Sequence, residues 1–316
     1  VTPYRGWHPD CREHRRRILC RTGERVTNPV ISCRKAQPKD CTAMSLPTPL
    51  INVMDAAARK AARRLVRDFG EIEQLQVSRK GPGDFVTEAD RRTETILFEE
   101  LSKARPGFGF LMEESGVHGG ESASERWIVD PIDGTTNFLH GIPHFAISIG
   151  VEREGGLVAG IVYEPVRDEL FWAEKNQGAY MNRRRLRVSE RTNLADALLA
   201  TGIPFGDRIG KKSFMAMLNA VMQKTSGVRR LGSAALDLAY VAAGRYEGFW
   251  ETGLSPWDVA GGIVVVREAG GLVSEIDGRS DMLYGNSILA ANQQLYDPLR
   301  KLLMDAVRTE GVKLTE

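Results

Sequence analysis

The stretch Trp127-Ile-Val-Asp130-Pro-Ile-Asp133-Gly-Thr-Thr-Asn137 is where the fold and the chemistry of this chain are both written. Three apolar residues ending in an acid read as a short buried strand. Pro131 has no N–H for a ladder, which predicts that an inner strand stops at Asp130. Asp133 follows three residues on, so the turn can aim both carboxylates into one pocket. Two carboxylates that close repel unless a cation or a shared proton neutralises them. Hard oxygen donors select Mg2+ or a similar ion. Gly134-Thr-Thr-Asn137 reads as the start of a helical turn whose free N–H groups suit a phosphate. Metal ligands beside a phosphate cradle point to phosphoryl chemistry. The same residues also fit an Asx-type turn in which both Asp side chains only cap backbone. The motif by itself leaves both readings open.

Three further acidic clusters stand at element ends rather than on solvated helix faces. Glu113-Glu114-Ser115-Gly116 follows the apolar run Phe108-Gly-Phe-Leu-Met112. A solvated loop is the plain alternative there. Ser255-Pro-Trp-Asp258 reads as a helix start with Ser255 as N-cap and Pro256 at N1. Asp258 at N3 could do no more than complement the helix dipole. The last, Asp84 to Asp90, ends in Thr87-Glu-Ala-Asp90, which opens another helix in the manner of a capping box, so Thr87 and Asp90 could be nothing more than a cap.

Between these clusters the periodicity switches repeatedly. Leu50, Ile51, Met54, Ala57, Ala58, Ala61, Leu65 and Phe69 recur at helical spacing, with Gly70 as a C-cap. Lys80-Gly-Pro-Gly83 marks a turn. Residues 144 to 181 alternate apolar and polar around Gly155-Gly156, Pro165 and Gly178, as an antiparallel meander does. Strands near 198–201, 246–251, 272–276 and 287–291 interleave with helices near 213–223, 233–243 and 256–269, and a C-terminal helix follows. Helix and strand mix without a strict βαβ repeat. The expectation is layered α and β with largely antiparallel sheet.

Composition bounds the rest. The chain has 316 residues, 42% hydrophobic and 27% charged, with formal net charge +2. That suits a globular protein with a sizeable core. A net charge so near zero provides no global field to favour nucleic acid or anionic lipid. No run of about 18 apolar residues occurs, so no spanning helix and no membrane partner are expected. All four cysteines lie before Met44, where ten basic residues face four acidic ones; the remainder carries 33 basic and 37 acidic residues. For residues 1–43 a targeting segment and a zinc module are two readings. The cysteine spacing contains no C-x2-C pair, and an unstructured extension fits the composition best. The expected folded domain is 44–316. Its lack of cysteine suits a reducing, cytoplasmic compartment.

Taken together, the clusters resemble the inositol monophosphatase family. The family pattern of an acid pair followed by D-P-[IL]-D-G-T-[TS]-N-F matches Glu113-Glu114-Ser115 and Asp130 to Phe138. Its second signature, W-D-x-A-[GA]-G, matches Trp257 to Gly262. The likeness runs from about Leu50 to about residue 310. It implies an α-β-α-β-α layered fold, usually a homodimer, and Mg2+-dependent, Li+-inhibited hydrolysis of small phosphate monoesters. Two to three Mg2+ ions are implied. Glu113, Asp130 and the Ile132 carbonyl match ligands of the first, Asp130, Asp133 and Asp258 those of the second, and Glu113 with waters those of a third. Thr135 and Asp90 match the pair that orients the attacking water, with Glu113 counted beside them as catalytic. The N–H groups of Gly134 and Thr135 match the phosphate site. Gly232, Ser233 and Ala234 match the loop lining a sugar or inositol ring, and Glu251 the acid for substrate hydroxyls. The implied substrate is inositol 1-phosphate. Fructose 1,6-bisphosphate, histidinol phosphate, 3′-phosphonucleotides and NADP are related alternatives. Some bacterial relatives also act in RNA metabolism through transcription machinery, so a protein partner is a further expectation. His118, His140 and His144 read as satisfied loop histidines, and Arg183-Arg-Arg185 as a solvated turn.

Overall fold

Helix α1, Pro49–Gly70, buries Ile51, Met54, Ala57, Ala58, Ala61 and Leu65, the stripe its periodicity predicts. The computed structural model describes residues 46–70, 77–81, 84–119, 124–205 and 210–314, with the side chains of 77–81 and 84–87 left aside. The extension expected over 1–43 lies outside the described residues. Val77–Gly81 (β1) and Asp84–Thr87 (β2) pair as an antiparallel hairpin. Lys80-Gly-Pro-Gly83 predicts only a turn here. Glu88–Ala104 forms α2.

Gly109–Met112 (β3), Gly116–His118 (β4) and Glu125–Asp133 (β5) come next, and Thr135–Leu139 is the short helix α3. The expected meander follows as Ala146–Arg153 (β6), Gly156–Glu164 (β7), Glu169–Glu174 (β8), Gly178–Met181 (β9) and Arg184–Arg185 (β10). These strands form one sheet in the order β10-β9-β8-β7-β6-β5-β3-β4. Among the described residues, β3 and β5 are the one parallel pair within it.

The second half holds Leu198–Thr201 (β11), Lys211–Met222 (α4), Gly227–Arg229 (β12), Ala234–Ala242 (α5), Gly248–Thr252 (β13) and Pro256–Glu268 (α6). Leu272–Ser274 (β14), Ser287–Ala291 (β15) and Tyr296–Thr309 (α7) complete it. Its sheet runs β12-β11-β13-β15-β14.

Period-two alternation sorts the strand residues into layers. Trp127 and Val129 pack with α1 and α2, whereas Ile128 packs with α5 and α6. In the second sheet Phe249 and Ala290 face α5 and α6, whereas Trp250 and Leu289 face α4 and α7. Helices α5 and α6 thus lie between two sheets, and each sheet has a helix pair on its far side. The order is α-β-α-β-α, as the resemblance implied. Among the described residues, no helix is long and apolar enough to cross a membrane.

One expectation needs correction. The strand continues through Pro131 to Asp133, although β5 is an inner strand. Pairing with β3 ends at Met112↔Val129, so Pro131 has no neighbour on that side. On the other side the register with β6 shifts between Asp130 and Asp133. Pro131 falls inside that bulge, where its missing N–H breaks no ladder bond.

The placement of α6 rests on glycine. A Cβ at Gly160 would lie 2.4 Å from the Gly261 carbonyl oxygen, and one at Gly150 would lie 2.6 Å from the Ala260 Cβ. The helix therefore lies against β6 and β7 with almost nothing between them. That contact fixes the position of its first turn, where Asp258 stands.

Candidate metal centre

Three carboxylates converge where these layers meet. Asp130, Asp133 and Asp258 each present an oxygen, and the three oxygens lie within 4.8 Å of one another. Asp130 and Asp133 flank the β5 bulge, so both side chains leave the strand toward the same end. Asp258 arrives on α6. Its height is set by the glycine contact and by Ser148 Oγ, which donates to the Trp257 carbonyl at 3.3 Å. Ser148 is the residue paired with Asp130 across β5 and β6. In the first turn of α6, Asp258 Oδ2 accepts from the Ser255 N–H at 2.7 Å. The capping role foreseen for Asp258 is therefore real and coexists with its place in the cluster.

Glu113 completes the group. It follows the end of β3, where its N–H donates to the Val129 carbonyl at 3.2 Å. The neighbouring Glu114 N–H donates to Glu94 Oε2 at 2.8 Å, which ties this turn to α2. The Glu113 side chain hydrogen-bonds Asp130. Burial pushes the Asp130 carboxyl well above the usual carboxylate range, and the charges of Glu113, Asp133 and Asp258 push it the same way. Asp133 is pushed up to about 6, chiefly by burial. The Ser233 hydroxyl and the Ala235 N–H pull it back down, donating to its Oδ2 at 2.5 and 2.7 Å. Such a donor set fits a hard divalent cation: all oxygen, crowded, and costly to ionise without added positive charge.

Beside this cluster, the Thr135 hydroxyl lies 3.1 Å from Asp90 Oδ1 and 3.0 Å from the Ile132 carbonyl oxygen. Its one proton can serve only one of them at a time. Asp90 is buried in the first turn of α2. Gly134 precedes α3 at φ 100, the left-handed region that favours glycine. A Cβ there would lie 3.1 Å from the His144 carbonyl oxygen and 3.2 Å from that of Gly232. Asn137 donates through Nδ2 to the carbonyls of Leu231 at 2.7 Å and His144 at 2.8 Å. This tether brings the Gly232-Ser233-Ala234 loop against the Asp133 turn. Glu251, on β13, lies over Gly202, so that a Cβ at Gly202 would fall 1.9 Å from its carboxyl.

Glu94 and Asp237 carry no role in the sequence reading, and Asn137 enters it only as the end of the Gly134-Thr-Thr-Asn137 turn. Glu94 stands four residues after Asp90 on α2, a spacing that marks one helix face. Asp237 gave no such signal. It is 1% exposed, and among the described residues its Oδ1 has no hydrogen-bond partner. Burial holds its carboxyl well above the usual range, helped by the charges of Glu251 and Asp133. His144 departs from expectation. It is a buried residue whose Nε2 has no hydrogen-bond partner among the described residues, and burial depresses its pKa to about 4, with the Arg167 charge contributing. His118 is a satisfied loop histidine, with Nε2 2.7 Å from Ser115 Oγ. Arg183, Arg184 and Arg185 are exposed.

Residues 46–308 match the sequence pattern of the inositol monophosphatase family. An inositol-1-monophosphatase of Mesorhizobium japonicum is 59% identical over 252 residues, covering 80% of this chain and 95% of that protein. The Nus factor SuhB of Pseudomonas aeruginosa is 45% identical over 255 residues, covering 79% and 94%. The crystal structure of the extragenic suppressor protein suhB from Bartonella henselae superposes with a TM-score of 0.79 at 54% identity, covering 81% and 98%. By sequence and by fold, the chain belongs to the inositol monophosphatase family and is a phosphoric monoester hydrolase.

Proposed function

We propose that the chain hydrolyses inositol 1-phosphate to inositol and phosphate, with Mg2+ as its cofactor. The reading rests above all on the meeting of Asp130, Asp133 and Asp258 oxygens within 4.8 Å. The 59% identity to a protein named inositol-1-monophosphatase favours this substrate. Two to three ions would be held by Glu113, Asp130, the Ile132 carbonyl, Asp133 and Asp258. When bound, they supply positive charge for the phosphoryl oxygens and acidify water. Asp90, acting through the Thr135 hydroxyl, orients the attacking water and takes its proton. The N–H groups of Gly134 and Thr135 hold phosphate oxygens. Gly232, Ser233 and Ala234 line the polyol ring, and Glu251 accepts hydrogen bonds from its hydroxyls. Attack is in line with the leaving oxygen. No Ser or Cys nucleophile is required, and no phosphoenzyme forms.

A phosphate-release screen over small esters, with Mg2+ and with added Li+, tests this. Inositol 1-phosphate is expected to be turned over in Mg2+ and suppressed by Li+. Asp130→Asn and Asp258→Asn are expected to lose nearly all turnover while still folding. Near-normal rates in either variant would contradict the ligand roles.

The 45% identity to a protein named Nus factor SuhB favours a second role, in binding transcription machinery. A pull-down comparing wild type with Asp130→Asn separates the two, since binding that survives the variant is independent of catalysis. The homodimer is part of the same proposal, and sedimentation tests it.

A further inference from the structure

The loop after β11 and the loop before α5 meet at the mouth of this site. Phe205, three residues beyond Gly202, is 52% exposed. The Arg230 guanidinium lies over its ring at 5.0 Å from the centroid. The same guanidinium fills the open side of Gly232: a Cβ there would lie 2.8 Å from Arg230 Nη1 and 3.3 Å from Asn137 Nδ2. Gly232 precedes Ser233, whose hydroxyl is on Asp133. Glu251 covers Gly202 on the other flank. Arg230 is exposed; among the described residues no ion pair is formed with it, and the carboxylate its charge acts on is that of buried Asp237, whose pKa it pulls down. An arginine held in place by an aromatic face, with no hydrogen-bond acceptor on its donors among the described residues and within a few residues of a phosphate-handling site, is prepared for a second anion.

We propose that Arg230, stacked on Phe205, forms a second-phosphate subsite, so that the site binds polyol or sugar bisphosphates more tightly than the matching monophosphates. This rests on the hydrolase reading above and deepens it. The planar fork meets the second phosphate at the mouth, while the first phosphate lies at Gly134 and Thr135. Phe205 keeps the guanidinium from swinging into solvent. Glu251 still serves the hydroxyls between the two phosphates.

The test measures Ki for fructose 1-phosphate and fructose 1,6-bisphosphate against inositol 1-phosphate hydrolysis, in saturating Mg2+. These ligands share one sugar and differ by the second phosphate, and Ki is defined whether or not they are turned over. In the wild type the bisphosphate is expected to bind about tenfold tighter or more. Arg230→Met brings the two Ki values to within about twofold of each other. Arg230→Lys keeps part of the preference, because a point charge lacks the fork. Phe205→Leu weakens it while leaving the charge in place. Arg184→Met, on the exposed β10 hairpin, keeps the wild-type ratio. A ratio in Arg230→Met equal to the wild-type value overturns the subsite. Equal weakening of both ligands also overturns it, since that would be a structural effect. If no ester at all releases phosphate in Mg2+, the hydrolase reading fails. If inositol 1-phosphate is turned over and the Ki ratio ignores Arg230, only the subsite fails.

Discussion

The Ser233 hydroxyl donates to Asp133 Oδ2 at 2.5 Å, across one hundred residues of sequence. It joins the end of β5, in one sheet, to the N-cap of α5, in the helix layer between the sheets. The same carboxylate oxygen accepts the Ala235 N–H, so the helix start and the proposed ligand position each other.

Ser233→Ala removes a charge-assisted donor from Asp133. Mg2+ affinity is expected to fall by about tenfold or more, as for other groups that orient a ligating carboxylate. That donor also holds the Asp133 pKa down, so its loss raises it. Protons then compete with the metal at higher pH, and the acid limb of the rate profile moves up. Calorimetric Mg2+ titration and a pH–rate profile measure the two effects.

Asp130 and Asp133 both have carboxyl pKa values raised by folding. A raised folded pKa stabilises the protein fully below the unfolded value, near 4, and that contribution is lost as pH rises through the folded value. Metal-free protein is therefore expected to be less stable at pH 8 than this cluster allows near pH 5. Asp130→Asn removes much of the repulsion. In chelator at pH 8 it should melt at or above the wild type, and the gap should close toward pH 4. Mg2+ should stabilise the wild type, by about 2.7 kcal/mol at a hundredfold excess over Kd, and the variant much less. Melting curves with chelator and with Mg2+ across this range decide it.

Thr135 stands between Asp90 and the Ile132 carbonyl. Thr135→Val keeps the shape and removes the hydroxyl, so kcat is expected to fall about 10²–10⁴-fold at saturating Mg2+. Thr135→Ser keeps the hydroxyl and should retain most of the rate. Equal losses in both variants would indicate packing instead of proton handling.

Asn137 satisfies two carbonyls with one amide group. Asn137→Ala leaves both without that donor, at a cost of about 2–4 kcal/mol. It also frees the Gly232 loop, so KM should rise along with the loss of stability. Urea denaturation and steady-state kinetics read these separately.

Gly261 meets β7 with no room for a methyl group, since its Cβ would lie 2.5 Å from the Ile161 carbonyl oxygen. Gly261→Ala is expected to lose about 1–3 kcal/mol and to shift Asp258 with α6. Gly70→Ala, at an open position, is the control. Thermal denaturation and Mg2+-dependent turnover of both variants check the link between this packing contact and the site.

Much of this was legible in the amino-acid order, because it depends on neighbours along the chain. The stripe from Ile51 to Leu65 gives α1, and alternation from 144 to 181 gives the meander. The spacing of Asp130, Asp133 and Gly134 gives a turn loaded with acid. Pro131 misled, since the rule that excludes it from inner strands applies only where both neighbours are paired, and β3 stops at Met112. Thr87-Glu-Ala-Asp90 and Ser255-Pro-Trp-Asp258 each read equally well as helix caps. Local pattern could not choose, because capping and metal binding ask for the same residue at the same place.

Tertiary structure shows that Asp258 both caps α6 and meets Asp130 and Asp133. It brought Asp258 to Asp130 by pressing Gly160 on Gly261, put Ser233 on Asp133, and laid Arg230 over Phe205. Each is a contact between segments tens of residues or more apart. Periodicity and spacing report which way a side chain leaves its own backbone. Which distant group it meets is fixed only when sheets and helices stack, since the distances that matter then run through packed space and not along the chain.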